Sequence, residues 1–224
     1  TFFFDNWVFS KGFPHFSIDS VNVVPSGNQY DVFVSVRQKL REAPEYYSDV
    51  PLEVTFFNEQ WDTVVRQLRM SGNCGIYYTQ LDFEPVFTVL DFEEKISDAI
   101  TDKYMVVNSI GSENFGDAQF TLQVKSIQDS ALVRIEHNWV FADPFQNPRP
   151  GLHISQERYW TVDGIFPQGF EADGLIRYNG SNSAVNGYLD NQLITNSEDS
   201  LVLLYRALVK EDWVEADSFI VDPQ

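Results

Sequence analysis

The chain has 224 residues, 43% of them hydrophobic and 15% aromatic, with Lys+Arg 15 against Asp+Glu 33. That much apolar material supplies a core and excludes general disorder. A formal net charge of -18 argues against a nucleic-acid partner or an anionic membrane surface, because either needs a basic face. The acidity is shared evenly between the two halves, as expected of a solvated surface rather than an acidic tail. Cys74 is the single cysteine, so an intrachain disulfide framework and a multi-cysteine zinc site are excluded. No apolar run approaches the roughly 18 residues of a membrane-spanning helix, so no membrane insertion is expected. The sequence opens Thr1-Phe2-Phe3-Phe4 without a methionine and reads as a piece of a longer chain.

Taken in order, the elements are strands. Pro25-Ser26-Gly27-Asn28 is a turn, and beyond it Tyr30, Val32, Val34 and Val36 alternate with Asp31, Phe33, Ser35 and Arg37. Successive strand side chains point to opposite faces, so this is a half-buried strand with one wet face. Leu52, Val54 and Phe56 repeat the pattern. Ser71-Gly72-Asn73 separates strands around Val64–Leu68 and Ile76–Leu81. Phe92–Ile100 could form a short turn of helix. Ala131, Val133, Ile135, His137, Trp139 and Phe141 alternate with Leu132, Arg134, Glu136 and Asn138. Phe170, Ala172, Gly174, Ile176 and Tyr178 do the same before the turn at Asn179–Asn182. The continuous apolar run Leu201–Tyr205 reads as a buried strand.

The stretch Ser109–Asp117 is small and polar and reads as a hinge. The expected fold is therefore all-β: two consecutive immunoglobulin-like β-sandwich domains, 1–108 and 109–224, with few or no helices.

Local catalytic signals are absent. No two of His15, His137 and His153 lie within five residues, and none precedes a Glu, so no compact zinc site is present. His137 is expected on an inner or interface face beside Trp139. His15 and His153 sit near prolines and read as surface loop residues. There is no Gly-x-Ser-x-Gly elbow and no phosphate-binding loop. Cys74 lacks basic sequence neighbours and reads as a small buried or edge residue. Glu93-Glu94 and Glu211-Asp212 are adjacent acids, which on strands would diverge to opposite faces. Asn179–Asn191 carries calcium-type oxygen donors without a defined loop spacing. The aromatic residues Trp139, Tyr159 and Trp160 are candidates for a binding surface that stacks on sugar rings, with core packing as the simpler role.

Several motifs occur in a recognisable order: Phe3-Phe4-Asp5-Asn6-Trp7-Val8-Phe9, Gly12-Phe13-Pro14, Val36-Arg37-Gln38, Pro51-Leu52-Glu53-Val54 and Pro85-Val86-Phe87-Thr88-Val89-Leu90-Asp91. This order resembles the C-terminal side of gluzincin aminopeptidases of the aminopeptidase N type. There, a Trp followed by Gly-x-Pro marks the passage into a β-sandwich. Arg134–Val140 and Arg158–Gly164 are similar to the extra C-terminal domain of bacterial members. The resemblance implies that Trp7, Gly12, Phe13 and Pro14 lie at a domain interface. It also implies a non-catalytic region that braces or shapes the active-site cleft of a parent chain. The family's His-Glu-x-x-His signature and its Gly-x-Met-Glu-Asn motif do not occur in this sequence, so no catalytic, cofactor-binding or metal residue is carried over. Zinc is expected in the parent's catalytic domain, outside this chain. The remainder of the parent polypeptide is the implied partner, and export is the implied localisation. An apolar patch at Phe2, Phe3, Phe4 and Trp7 would favour self-association of the fragment. The alternative is a stand-alone protein- or carbohydrate-binding module.

Overall fold

A computed structural model describes residues 2–180, 190, 193–194 and 200–220, with residues 2–3 described as backbone only. Most of the segment Asn179–Asn191, read above for calcium, lies outside the described residues. The chain is nearly all β, arranged in antiparallel sheets. Among the described residues a single short helix, α1 (Phe2–Trp7), opens it. No helix among the described residues is long and apolar enough to cross a membrane.

The first group of strands is β1 (Phe13–Ser26), β2 (Gln29–Arg41), β3 (Val50–Phe57), β4 (Thr63–Met70), β5 (Cys74–Leu81) and β6 (Phe87–Leu90). They form two three-stranded sheets, β1-β2-β5 and β4-β3-β6. The alternation in β2 works as the sequence demands. Val32, Val34 and Val36 are 0–2% exposed, whereas Phe33 is 38% exposed. The inner face packs with Phe16, Leu52, Val54, Phe56 and Met70 into one core shared by both sheets. Each such side chain removed from water contributes about 1.5–3 kcal/mol.

The second group is β7 (Ile100–Val107), β8 (Gly111–Phe115), β9 (Phe120–Ser126), β10 (Ala131–Asn138), β11 (Tyr159–Ile165) and β12 (Glu171–Ile176). Its sheets are β11-β10-β7 and β12-β9-β8, over a core of Phe115, Leu122, Val124, Val133 and Ile135. Because β7 pairs along its whole length with β10, strands of this group begin at Ile100. Residues 109–117 are not a hinge. Gly111–Phe115 pairs with Phe120–Val124 as a hairpin, so its polar residues are the wet face of a strand.

Three further expectations are corrected. The strand from 131 has no wet face, because Leu132, Arg134 and Asn138 are as buried as Val133 and Ile135. Its second face meets the first group of strands, where Phe57, Phe87, Val89 and Leu132 make a joint apolar seam. Residues 92–99 form a loop rather than a helix, and Ile100 already belongs to β7. The Asp91 carboxylate accepts hydrogen bonds from the Lys95 and Ile96 amides, which diverts the backbone before a helical turn closes. Leu201–Tyr205 is not a buried strand. Only β13 (Leu204–Tyr205) pairs, with β14 (Val214–Glu215), and Val202, Leu203 and Tyr205 are exposed.

Candidate functional site

A cleft of about 1140 Å³ runs between the two groups of strands. One wall is the outer face of the β7-β10-β11 sheet. The other comes from β1, β6 and the loop after β6, and the segment around β13 lies along it. Ligand sites favour such junctions. Acidic side chains outnumber basic ones three to one along its described lining.

The basic side is a ladder on β2. Arg37, Lys39 and Arg41 share a face through the two-residue period of a strand. Arg41 donates to the Trp139 carbonyl at 2.6 Å and Lys39 to the Phe141 carbonyl at 3.0 Å. Arg37 and Lys39 each reach Asp143 at 2.8 Å, and Arg206 binds its other oxygen. Arg37 also holds Asp19, which a register shift between Ile18 and Ser20 leaves outside the β2 pairing. Burial would push the Asp143 carboxyl up. Hydrogen bonds from Lys39 and Arg206, with the charges of Lys39 and Arg37, hold it down at about 2. Burial lowers Lys39, against the pull of Asp143.

The acidic side centres on Arg134 of β10, which is 5% exposed. Its guanidinium pairs with Asp102 of β7 and Glu136 of β10. Around these sit Glu94 and Asp98 from the loop and Asp163 from β11. One guanidinium faces five carboxylates here, and burial and mutual repulsion push several of them above the ordinary carboxylate range. A hydrogen bond with Asp102, then burial, raises Glu94 to about 7. Burial, only partly offset by the Ile100 amide, pushes Asp98 up to about 8, with Asp91, Glu136 and Asp102 adding repulsion. Burial also raises Glu136 and Asp163, against the pull of Arg134. The Glu93-Glu94 reading is corrected here: these residues lie in a loop, not on a strand, and Glu94 does converge with other acids. Glu211-Asp212 is apart from this wall, and Asp212 caps the amides of Gln146 and Asn147.

The candidate aromatic surface is not a flat platform. Trp139 and Trp160 enclose His137, with ring centroids at 3.9 and 4.5 Å. The Trp160 indole donates to the Ala118 carbonyl at 2.8 Å, and Trp139 donates to Thr101 at 3.0 Å. Tyr159 lines the cleft, and Trp160 also contributes to its wall. Trp160→Ala is therefore expected to cost about 3–5 kcal/mol of stability, read by urea unfolding. An unchanged midpoint together with lost glycan binding would instead mark a platform.

His15, read as a surface residue, is fully buried on β1. Its Nε2 pairs with the Asn138 side chain at 2.7 Å, tying β1 to the end of β10. His153 is exposed, as is Cys74 at the start of the edge strand β5. Burial lowers His15 to about 4, and burial with the charges of Arg158 and Arg41 lowers His137 to about 3. Both imidazoles lie below the ordinary value of about 6.5. Their contribution is therefore whole above that pH and is lost as pH falls toward 4 and 3. Asp98 has the opposite sign. Its raised carboxyl contributes fully below about 3.9, the ordinary Asp value, and that contribution is lost as pH rises through about 8. Asp98→Asn should thus stabilise the fold by about 2 kcal/mol at pH 9 and hardly change it at pH 4, in melts across that range. Equal effects at both ends would contradict this.

Of the residues expected at a domain interface, Trp7 meets Tyr47 edge-on at 4.9 Å. Pro14 is buried, and its carbonyl accepts the Ala99 amide at 2.7 Å. The Tyr47 hydroxyl donates to the Gly12 carbonyl at 3.2 Å. Phe13 stays 47% exposed, as do Phe4, Val8 and Phe9 at 50–77%. Among the described residues, no group of three or more His, Cys, Asp or Glu is placed to hold a metal ion. No protein-family model matches the chain, and no curated protein or solved structure matches it.

Proposed function

We propose that the chain is a non-catalytic region of a larger zinc aminopeptidase-like polypeptide. Its two groups of strands act as consecutive immunoglobulin-like sandwiches that brace a catalytic domain carried elsewhere. The observation that carries this reading is the fixed start of β1. Trp7, Gly12 and Pro14 stand in the order of the family motif, and each is tied down: Tyr47 meets the Trp7 ring and donates to the Gly12 carbonyl, and Ala99 donates to the Pro14 carbonyl. That arrangement sets the direction in which the chain enters the strands. The Arg37, Lys39 and Arg206 pairs to Asp143, and the Phe57–Leu132 seam, support a stiff brace. The purified chain should neither hydrolyse an aminoacyl anilide nor bind zinc stoichiometrically. Hydrolysis with one bound zinc would overturn the proposal.

A second reading, a stand-alone protein- or carbohydrate-binding module, is favoured by the cleft between the two groups of strands, which is large enough for a small ligand.

A further inference from the structure

We infer that β5 is an interface strand: two copies of this chain pair edge to edge through Cys74–Leu81 about a two-fold axis, joining their β1-β2-β5 sheets into one. The inference stands apart from the aminopeptidase reading, since it needs only the residues of this chain. Three observations carry it.

The first is an edge left open. Strand β5 ends the order β1-β2-β5, and among the described residues it pairs with β2 alone, without a register shift. The Gln38 amide donates to the Asn73 carbonyl at 2.8 Å. Those two residues stand opposite each other, one step beyond the Arg37–Cys74 pair. Backbone groups alternate sides along an antiparallel strand, so Gly75, Tyr77 and Thr79 bond to β2. The amides and carbonyls of Cys74, Ile76, Tyr78 and Gln80 therefore point to the open side. Such a row of unpaired donors and acceptors is a template for another strand.

The second is charge. The chain carries a net charge of -18, so a second copy is repelled over most of its surface. Every other edge strand longer than the four-residue β6 brings a charge: Asp19 on β1, Arg66 on β4, Asp102 on β7, Glu113 on β8, Asp163 on β11 and Glu171 on β12. Charges of this kind keep edges apart. Strand β5, eight residues long, has neither a charged residue nor a proline. Beside it, Arg66 reaches the Thr79 hydroxyl at 3.3 Å and makes no ion pair among the described residues. A positive charge thus flanks the seam and offsets the acidity of the two chains.

The third is self-complementarity. Ile76 and Tyr78 lie two apart on the outer face of β5, 74% and 60% exposed. Tyr78 is already held in place. Its ring lies 5.3 Å from that of Phe33, and its hydroxyl donates to Asp31 at 2.8 Å. Antiparallel pairing about an axis through Tyr77 sets Ile76 against Tyr78 of the second copy, and Tyr78 against its Ile76, while Cys74 meets Gln80. Every open-edge backbone group then finds a partner. Two aromatic–aliphatic pairs extend the apolar surface begun by Phe33. The strand matches itself, which is what a two-fold interface requires, and this selects a second copy over an unrelated strand.

Sedimentation equilibrium of the intact chain over a concentration series tests this. The expected result is a 25.8 kDa monomer passing reversibly into a dimer, with a Kd on the order of 10–100 μM for so narrow a seam. Ile76→Lys places two lysines beside the axis and should weaken the dimer about tenfold or more. That side chain stands in solvent, so the melting temperature of the dilute chain should not change. Gln80→Pro removes an amide from the open edge and none from the β2 ladder, and it should weaken the dimer as well. Phe9→Lys, at an exposed ring outside the seam, should leave it unchanged. Hydrogen exchange reads the register. The Ile76, Tyr78 and Gln80 amides should gain protection as concentration rises, whereas those of Tyr77 and Thr79 are protected from the start. A strict monomer at about 1 mM overturns the inference. So does a dimer that Phe9→Lys dissolves and Ile76→Lys spares, which would place the interface on the apolar surface near the helix. Growth beyond a dimer also overturns it, because a two-fold pairing closes at two copies.

Discussion

Arg134→Met should destabilise the chain by about 3–5 kcal/mol at pH 7.5. The methionine nearly fills the volume, so lost packing is a small part of that cost. The larger part is electrostatic. Asp102 and Glu136 lose their shared guanidinium, and Asp98, Glu94 and Asp163 lose its nearby positive charge. A buried carboxylate without a partner must either be hydrated by local opening or take up a proton. The penalty should therefore shrink as pH falls to about 5, where the carboxyls protonate more readily. Urea unfolding at the two pH values checks it. A loss below about 1 kcal/mol at both would mean that water, not Arg134, satisfies these acids.

The second large effect is expected at Gly12. Its φ is +80°, and an added Cβ would stand 2.3 Å from the Ala43 nitrogen and 2.4 Å from the Arg41 carbonyl oxygen. Both are backbone atoms, so no side chain can swing away to make room. Gly12→Ala must displace the end of β2 and with it the Tyr47 hydroxyl bond to the Gly12 carbonyl. About 3 kcal/mol or more of stability should be lost. Gly27→Ala is the matched control. Its φ of +66° is also left-handed, yet nothing lies within 4 Å of the added carbon. There the cost should be only about 1–2 kcal/mol, the conformational penalty alone. Similar losses at both sites, in the same thermal melts, would show that crowding at Gly12 relaxes at no cost.

How much was legible in the sequence follows from how each strand meets its surroundings. Along β2 the inward valines and outward polar residues alternate because its outer face meets solvent over most of its length, so the period was visible. In β10 the same alternation misleads. Leu132 packs on Phe57 and Phe87, and Arg134 is buried among acids, so both faces are interior. Alternation alone does not announce a second buried face when its residues are charged. The stretch at 92–100 reads as helical by composition, but Asp91 captures two amides and ends that prospect. Leu201–Tyr205 reads as core because it is apolar, yet β13 and β14 form a two-stranded sheet that leaves Leu203 and Tyr205 exposed.

The cleft was beyond reach for another reason. Its acids come from 94 to 163, on a loop and three strands, and only the fold brings them together. One local signal existed. Arg134 and Glu136 stand two apart beside the apolar Ala131, Leu132, Val133 and Ile135, hence on one face, and a charged pair there foretells a buried polar contact. The Arg37, Lys39 and Arg41 ladder carried the same signal on β2. The expected aromatic surface divided in the structure, with Tyr159 in the cleft and the two tryptophans closed around His137.

The most direct measurement of the central claim is the coding sequence upstream of Thr1. The account predicts a His-Glu-x-x-His motif followed by a further Glu ligand, the set that holds a catalytic zinc. An upstream region lacking those ligands would contradict it, and the acidic cleft would then stand as the feature by which the chain is to be understood.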